Sequence, residues 1–529
     1  MPPETRQERY VRLRWWMLLV LSLSLIIIGM DNSILNVTIP TLQRDLGADA
    51  SDLQWMIDSY ILVFAGLLLT MGALGDKFGR AKTLRIGLVI FGGASLAGTY
   101  AGSVGQFIAA RSIMGIGAAL IMPSTLSIIT NVFPREERGK AIAIWAGVAG
   151  LGIGLGPLFG GLLLDHFWWG SVFFINVPIV AIALALGAFL VPDSSDPTRP
   201  PLDIPGAVLS MAAVSTLVYA IMEAPAYGWT DGRVLAGFFG SLVLGVAFAI
   251  RERTTKYPML EFAFFKNPRF SIGAAAISIG FFSLMGMIFG MTQYFQFVHG
   301  WSPLSAGLRT APIALGIMFA SANSHRMVRR FGSKKVIAGG LLIVAGVTSV
   351  IIGYTPDTPY WVILIVMIAT TQGLGNIMAP STEAIMGAVP PAKAGVGSAM
   401  NDVTRQVAGA MGIAVIGSAM YSFYSHKMAD AVANLAPNVA GAARDSVGAA
   451  YAIAARLPPE EGEALRQAAR SAFTDAWGLA TFIASGVALS GALLVLKFLP
   501  AQHLPMAGAT PAQMPHTAGA AADPSMQRK

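Results

Sequence analysis

Hydrophobic residues come in blocks of roughly 20 along the chain, separated by short polar or charged segments. A helix rises 1.5 Å per residue, so each block can cross the ~30 Å hydrocarbon layer of a bilayer. The pattern predicts about fourteen transmembrane helices, at roughly 15–40, 53–75, 83–104, 106–131, 139–164, 169–191, 203–224, 233–250, 270–296, 304–325, 335–354, 359–388, 395–422 and 475–499. The fold class expected is an all-α polytopic membrane protein.

Composition supports this class. The chain is 54% hydrophobic and 12% charged, whereas soluble domains carry roughly 25% charged residues. It has no cysteine, which excludes disulfides and thiolate metal sites. Six scattered histidines and the absence of a GxxxxGK[ST] loop give no reason to expect a metal, a cofactor, ATP drive or an enzyme.

The net charge of +8 is explained by the orientation of the protein in the membrane. With the N-terminus in the cytoplasm, most of the 36 lysine and arginine residues fall in cytoplasmic segments, as the positive-inside rule requires. We therefore expect a protein of the inner (cytoplasmic) membrane with both termini in the cytoplasm and basic segments on anionic lipid. A nucleic-acid partner is not expected. The first apolar block is too long for a cleavable signal peptide.

Breaks in the pattern divide the chain into four parts. PDSSDPTRPPLD and RERTTKYPMLEFAFFKNPRF flank one pair of predicted helices, and a weak echo links GDKFGRAKTL with RRFGSKKVI. Parallel halves around a central site are a common transporter design. The expected parts are an N-terminal six-helix bundle (1–192), a linker with two extra helices (193–269), a C-terminal bundle with an external loop at 423–474 (270–499), and a disordered tail (500–529). Within that loop, LPPEEGEALRQAARSAF is expected to form an external amphipathic helix.

Charged side chains inside the predicted spans are the main candidates for function, since each costs at least ~2.5 kcal/mol at the bilayer centre. They are Asp31, Asp58, Arg111, Glu223, Glu383, Asp402 and Arg405. Arg111 either faces the interior or extends to the nearby interface. Asp402 and Arg405 lie three residues apart and either form a structural pair or take part in proton transfer.

Two groups suit a lipophilic cation. Asp58 and Trp55 share a helix face with Tyr60 near, which allows charge pairing and cation–π attraction; an interfacial tryptophan is the alternative. At about 100° per residue, Gln372, Asn376 and Glu383 form one polar stripe that lines a cavity or bonds neighbouring helices. Methionine and aromatic residues, including Phe282 and Tyr294, would give an adaptable lining.

Several motifs resemble known transporter signatures. GALGDKFGRAK, with Gly72, Asp76, Lys77, Gly79 and Arg80, resembles the signature loop of the major facilitator superfamily, in which Asp76 would cap a helix or pair with an arginine in one gate state. GLGIGLGPLFGG resembles the pattern of its antiporter branch, with Gly152, Gly156, Pro157, Gly160 and Gly161 in place. The named residues of both motifs are the expected conformational gate.

IIIGMDNSILNVTIP, WMIDSYILVFAGLLLTMGALGD and WGSVFFINVP together resemble the fourteen-helix drug:proton antiporter family, especially its bacterial exporters of quaternary ammonium compounds, viologens and dyes. Arg111 in FIAARSIMGIGAA resembles the arginine that the major facilitator superfamily links to proton movement. Ala81 departs from the pattern, and so does the lack of an acid in 304–325. The resemblance implies a monomeric, proton-coupled multidrug exporter of lipophilic cations. We expect proton coupling by Asp31, Arg111, Asp402 and Arg405. The residues expected to bind the cation are Asp58, Trp55, Tyr60, Gln372, Asn376, Glu383, Phe282 and Tyr294. Export of one specific metabolite, antibiotic or lipid is the alternative.

Overall fold

Helices make up all regular secondary structure in the computed structural model, which describes residues 6–48, 50–198, 201–433 and 435–501; no β-strand occurs in these ranges. The helices are α1 (Arg6–Leu46), α2 (Ala50–Phe78), α3 (Arg80–Thr99), α4 (Val104–Val132), α5 (Arg135–His166), α6 (Ser171–Phe174), α7 (Asn176–Leu190), α8 (Ile204–Tyr227), α9 (Gly232–Thr254), α10 (Pro268–Gln293), α11 (Pro303–Phe331), α12 (Ser333–Val350), α13 (Tyr360–Gly387), α14 (Ala394–Met428), α15 (Pro437–Asp445), α16 (Val447–Ala454) and α17 (Pro459–Phe498). The expected tail lies outside the described residues from 502 onward.

Twelve helical segments of the described chain are long and apolar enough to cross a membrane. The all-α membrane fold is therefore confirmed, but the count of fourteen is not. The difference lies at α3 and α11, which occupy the positions of two predicted spans without being among the twelve.

Two cores organise the helices. Phe64, Phe91 and Trp145 belong to a core built mainly by α1–α7. Met291, Ile337 and Trp477 belong to a second core built by α10–α17. The end of the molecule that carries the α2–α3 turn and the starts of α5 and α14 is called the basic end below, and the opposite end is called the far end.

The helices that build the first core (α1–α7) and those that build the second (α10–α17) are the two helix sets. They meet along α5 and α11 because small residues let the backbones approach. A Cβ atom added at Gly147, Gly150 or Gly154 would collide with Met318, Ile317 or Ala314 of α11. A second junction joins α2 to α14 near the basic end, where a Cβ atom on Gly72 would lie 2.5 Å from the carbonyl oxygen of Gly395.

The extra pair α8–α9 lies beside this second junction. Ser215 of α8 donates to the Leu62 carbonyl of α2 at 3.3 Å, and Trp229, just after α8, donates to Ser418 of α14 at 2.9 Å. The pair therefore contacts both helix sets.

The far end differs from the sequence prediction. The segment LPPEEGEALRQAARSAF, expected as a separate amphipathic helix, is continuous with the last span in α17, a helix of 40 residues. Two short helices, α15 and α16, precede it. Tyr451 of α16 donates to the Phe297 carbonyl at 2.6 Å, which fastens this region to the π-helix Tyr294–Val298 at the end of α10.

His299 lies at the centre of a ring cluster at the far end, just after the span. Its imidazole stacks on Trp301 with centroids 4.5 Å apart and meets Tyr294 edge-on at 5.0 Å. Burial is the main cause that lowers the pKa of His299, the Arg470 and Arg309 cations lower it further, and Asp357 opposes them. The folded protein therefore favours the neutral ring.

Replacing His299 with Asn should make stability less sensitive to acid. Because the folded-state pKa lies below the unfolded value of ~6.5, His299 leaves stability intact above that pH and reduces it as the pH falls toward the lowered value. Thermal unfolding of purified wild type and H299N between about pH 8 and about pH 5 checks this. An equal loss of melting temperature in both proteins would contradict it.

Candidate functional site

Asp31 and Arg111 form an ion pair inside the α1–α7 core. Arg111 Nη1 donates to Asp31 Oδ2 at 2.5 Å, and Arg111 Nε donates to the Met56 carbonyl at 3.2 Å. The guanidinium also lies over the Tyr60 ring, 4.4 Å from its centroid. Asp31 and Tyr60 are fully buried and Arg111 is 2% exposed. Arg111 thus faces the interior, and Tyr60 belongs to this pair and not to the Asp58 group.

Asn176 completes the surroundings of Asp31 and was missed in the sequence analysis. Its amide lies 3.4 Å from Asp31 Oδ1 and 3.1 Å from Ser95 Oγ, while Ser95 donates to the Phe173 carbonyl at 2.8 Å. The predicted span 169–191 breaks at Ile175 into α6 and α7, which puts Asn176 at the start of α7. The motif WGSVFFINVP marked this segment in the sequence but did not single out Asn176.

The glycine motif of α5 positions the helix that carries Asp31. A Cβ atom on Gly152 would lie 3.1 Å from the Ile26 carbonyl, and one on Gly156 would lie 2.7 Å from the Met30 carbonyl. A Cβ on Gly160 would meet Ile34 at 2.8 Å. Gly161 is buried, and Pro157 instead faces Gly307 of α11. Three of the five motif residues therefore act within one helix set.

At the basic end, Asp76 and Arg80 join α2 to α14. Arg80 Nη2 donates to Asp76 Oδ1 at 2.6 Å, and Asp76 accepts from the backbone amides of Gly395 and Val396 at 2.9 and 3.1 Å. Those amides are free donors in the first turn of α14, where a carboxylate is favoured. Arg80 also donates to the Pro391 and Ala392 carbonyls at 2.8 and 3.0 Å.

The turn before α3 needs glycine at position 79. Gly79 has φ +111°, which L side chains rarely adopt, and a Cβ there would collide with the Asp193 carboxylate. Asp193 accepts from the Ala81 amide at 3.2 Å, which fastens the segment after α7 to the same turn. Lys77 lies over the Phe78 ring at 5.2 Å.

Glu383 forms another junction at the basic end, separate from the α2–α14 junction. A Cβ on Gly139 of α5 would lie 2.8 Å from Glu383 Oε2 and 2.8 Å from His325 Nδ1. Both groups therefore converge on the start of α5, where Arg138 is the neighbouring cation of Glu383. Glu383 joins α13, α11 and α5 there.

The three residues of the polar stripe predicted on α13 do not lie at one place in the structure. Gln372 Nε2 lies 3.5 Å from Asn376 Oδ1, and Asn376 is 1% exposed against Gly340 of α12. Glu383 lies seven residues on, about 10 Å along the helix. The shared face predicted the Gln372–Asn376 contact, but the helix rise carries Glu383 away from it.

Asp58 lies near the far end of α2, beside the extra helix pair. Gln54 donates to Glu223 of α8 at 3.4 Å and also hydrogen-bonds to Asp58. Trp55 stacks on Tyr219 of α8 with centroids 6.5 Å apart. The structure brings Asp58 and Trp55 together with α8, far from Glu383.

The remaining aromatic candidates are packed in the second core. Phe282 is buried, with its carbonyl against Gly412 of α14. Tyr294 donates to the Thr355 carbonyl at 2.7 Å within the far-end ring cluster. These two residues do not meet Asp58 or Glu383.

Asp402 and Arg405 are buried in α14 but only loosely paired, with Arg405 Nη1 3.7 Å from Asp402 Oδ1. The guanidinium lies over two rings, 5.0 Å from the Trp145 centroid and 4.7 Å from the Phe281 centroid. Trp145 belongs to α5 and Phe281 to α10. This pair therefore lies where the two helix sets face each other.

No group of three or more His, Cys, Asp or Glu side chains that could hold a metal ion occurs in the described part of the chain. The site is thus made of buried charges, amides and rings that span both helix sets.

A family model described as Major Facilitator Superfamily matches residues 21–413, which include the Asp31, Asp76 and Arg111 sites. The chain belongs to this superfamily. It is a transporter and not an enzyme, and the resemblance to drug antiporters is confirmed by its relatives.

Three relatives align over almost the whole chain. The multidrug efflux pump LfrA of Mycolicibacterium smegmatis is 35% identical, over 91% of this chain and 95% of the pump. The methyl viologen resistance protein SmvA of Salmonella typhimurium is 34% identical, over 91% and 96%. The tetracenomycin C resistance and export protein of Streptomyces glaucescens is 33% identical, over 91% of each chain.

Two solved structures share the fold. The human organic anion transporter MFSD10 (TETRAN) superposes with a TM-score of 0.58 at 14% identity, over 94% of this chain and 100% of that one. The proton:xylose symporter XylE also gives 0.58, at 17% identity, over 93% and 96%.

Replacing Asp76 with Asn should open the basic end more often. The neutral amide loses charge-assisted bonds to Arg80 and to the first turn of α14, worth about 1.5–3 kcal/mol each. A single cysteine at Ser398, buried just inside the junction, should react faster with a maleimide in D76N. The matched control is Asp165→Asn, since Asp165 is exposed at the far end of α5. Equal rates in wild type and D76N would contradict the prediction.

Replacing Asn176 with Leu should remove a donor from the Asp31 carboxylate while keeping the side-chain size. The stretching band of the Asp31 carboxylate should then shift in frequency, because its Oδ1 atom loses a hydrogen bond. Infrared spectroscopy can follow the carboxyl band that Asp31→Asn removes. Ser95→Ala, which only loosens Asn176, should give a smaller shift in the same direction. A band at the same frequency in N176L and wild type would rule out the contact as described.

Proposed function

We propose that the protein is a proton-coupled antiporter that exports lipophilic, mainly cationic compounds from the cytoplasm by alternating access. The observation that carries this is the buried Asp31–Arg111 pair with its Asn176 contact. Relatives named for multidrug efflux and methyl viologen resistance support the substrate class. The proposal includes fourteen spans in the inner membrane, with both termini and the basic end in the cytoplasm.

The four-part division of the chain belongs to the same proposal: an N-terminal bundle, a linker with two extra helices, a C-terminal bundle and a tail. In it, α5–α11 and α2–α14 are the surfaces on which the bundles rock. The Asp76–Arg80 and Glu383–Arg138 junctions close the cytoplasmic side. The arrangement described here is then the one in which cytoplasmic access is shut.

Proton coupling is assigned to the ion pair because protonation of Asp31 removes the charge that holds Arg111. The guanidinium then keeps the Met56 carbonyl and the Tyr60 ring but loses its anion, so α1, α2 and α4 can shift relative to one another. Each proton that enters is worth ~2.3 kcal/mol per 100 mV of membrane potential, before any pH gradient.

Cation recognition is assigned to carboxylates beside rings. Asp58 with Trp55, Gln54 and Glu223 offers such a place at the far end, which would be the release side. Charge pairing together with cation–π attraction suits a lipophilic cation better than a neutral compound.

Export of one specific compound stays the second candidate, because one relative is named for resistance to and export of tetracenomycin C. The two candidate functions differ in whether other lipophilic cations compete for transport. A multidrug exporter should be inhibited by several unrelated lipophilic cations, whereas a specific exporter should be indifferent to them.

Ethidium uptake into proteoliposomes with an imposed pH gradient tests the proposal. Wild type should take up dye, a protonophore should abolish uptake, and Asp31→Asn should reduce it by about tenfold or more because Arg111 is left buried without its anion. Asp58→Asn, Glu383→Gln and Asp402→Asn should each lower uptake, and Asp165→Asn should not. Size-exclusion profiles exclude misfolding as the cause.

Two results would contradict the proposal. Uptake that persists without the gradient removes proton coupling, and equal uptake by wild type and all four site variants removes the residue assignment. Uptake of a single compound with no competition by other cations favours the specific exporter.

A further inference from the structure

Arg405 differs from the two other arginines that are buried in the described chain. Arg80 and Arg111 each bind a carboxylate within 2.6 Å and at least one backbone carbonyl. Arg405 is 3% exposed, its carboxylate lies 3.7 Å away, and Arg405 Nε and Nη2 and Asp402 Oδ2 have no hydrogen-bond partner among the described residues. A buried ion pair needs tight geometry and satisfied atoms to hold. This pair has neither.

The groups around the guanidinium are held much more firmly than the guanidinium itself. Trp145 donates its indole N–H to Thr125 of α4 at 3.1 Å. Asp402 accepts from Asn401 at 3.1 Å, and Asn401 accepts from Thr382 of α13 at 3.1 Å. Trp145 and Asp402 are therefore fixed, and the flexible Arg405 side chain is the part that can move.

Two ring faces and a carboxylate are what a protein uses to bind an organic cation. Trp145, Phe281 and Asp402, called the cation box below, supply these three elements around a planar, delocalised cation. Arg405 stands in the box as a bound cation would, except that it is tethered to the protein.

The box is split between the two helix sets. Trp145 comes from α5, whereas Phe281 and Asp402 come from α10 and α14. Opening the basic end would separate Trp145 from the other two and give a compound from that side access to the box. A box of this kind is assembled only when the halves close.

We propose that the cation box is a substrate site of this transporter and that Arg405 is its tethered occupant, which an incoming lipophilic cation displaces. The proposal rests on the proposed export of cations. The ligand class is a flat aromatic cation or a compact quaternary ammonium or phosphonium ion. A neutral compound cannot replace the charge beside Asp402 and is excluded from the box.

Dye binding to the purified full-length protein in detergent, without any gradient, tests the displacement. Arg405→Gln removes the competing cation and should tighten ethidium binding by about tenfold. Arg405→Lys keeps a tethered cation and should bind as wild type within about threefold. Fluorescence anisotropy at fixed pH gives both dissociation constants.

Two further variants test the walls and keep every charge. Phe281→Leu and Trp145→Leu each remove a ring face and should weaken ethidium binding by about fivefold or more. The matched controls are Phe289→Leu, on the same helix against Gly417, and Trp361→Leu, exposed on α13. Neither control should change the dissociation constant.

The outcomes separate this inference from the proposed function. Unchanged or weaker binding by R405Q, or wild-type binding by F281L and W145L, overturns the cation box while proton-driven uptake stands. Tight binding of an organic anion that R405Q abolishes also overturns it, because Arg405 would then be the ligand-binding group itself. No saturable cation binding by wild type or R405Q overturns the box and the proposed substrate class together.

Discussion

The ion pair between Asp31 and Arg111 is the interaction on which the arrangement of the first helix set depends. A carboxylate in an apolar bundle needs a cation and further donors, since an uncompensated buried charge costs several kcal/mol. Arg111 in turn uses the Met56 carbonyl and the Tyr60 ring, and Asn176 needs the break between α6 and α7. Helices α2, α4 and α7 are thereby fixed relative to α1, and the glycines of α5 hold α1 against the bundle.

At the basic end, the carboxylate of Asp76 is also compensated, in part by backbone groups. Asp76 is satisfied by Arg80 and by two amides in the first turn of α14. The bonds from these amides exist only while α2 and α14 are in contact. Separation of the helices exposes both partners to water, which solvates them well. The junction can therefore be strong when closed and still inexpensive to open, unlike a purely apolar contact of the same area.

Prediction from the sequence succeeded for the helical membrane fold, the α2–α3 turn and the buried charges, because each leaves a local signal: apolar length, glycine spacing, or a charge in an apolar run. It failed where the partner is distant in the chain. Asn176 is 145 positions from Asp31, and nothing in WGSVFFINVP alone identifies an amide that bonds another helix. Glu383 was assigned by its angle around α13, but its distance along the helix axis took it to the basic end. The junction of α17 with its external part was missed because hydropathy falls while the helix continues.

The three arginines that are buried in the described chain differ in how their N–H donors are satisfied. Arg80 and Arg111 have their donors engaged by carboxylates and carbonyls, so moving either one breaks several charge-assisted bonds, each worth about 1.5–3 kcal/mol. Arg405 lies against two ring faces and has one carboxylate, 3.7 Å away. Ring faces attract a cation with little directionality, so another cation of similar shape can take its place without leaving any bond unmade. The number and geometry of an arginine's partners, more than its burial, thus separates a residue that fixes a structure from one that can be exchanged for a ligand.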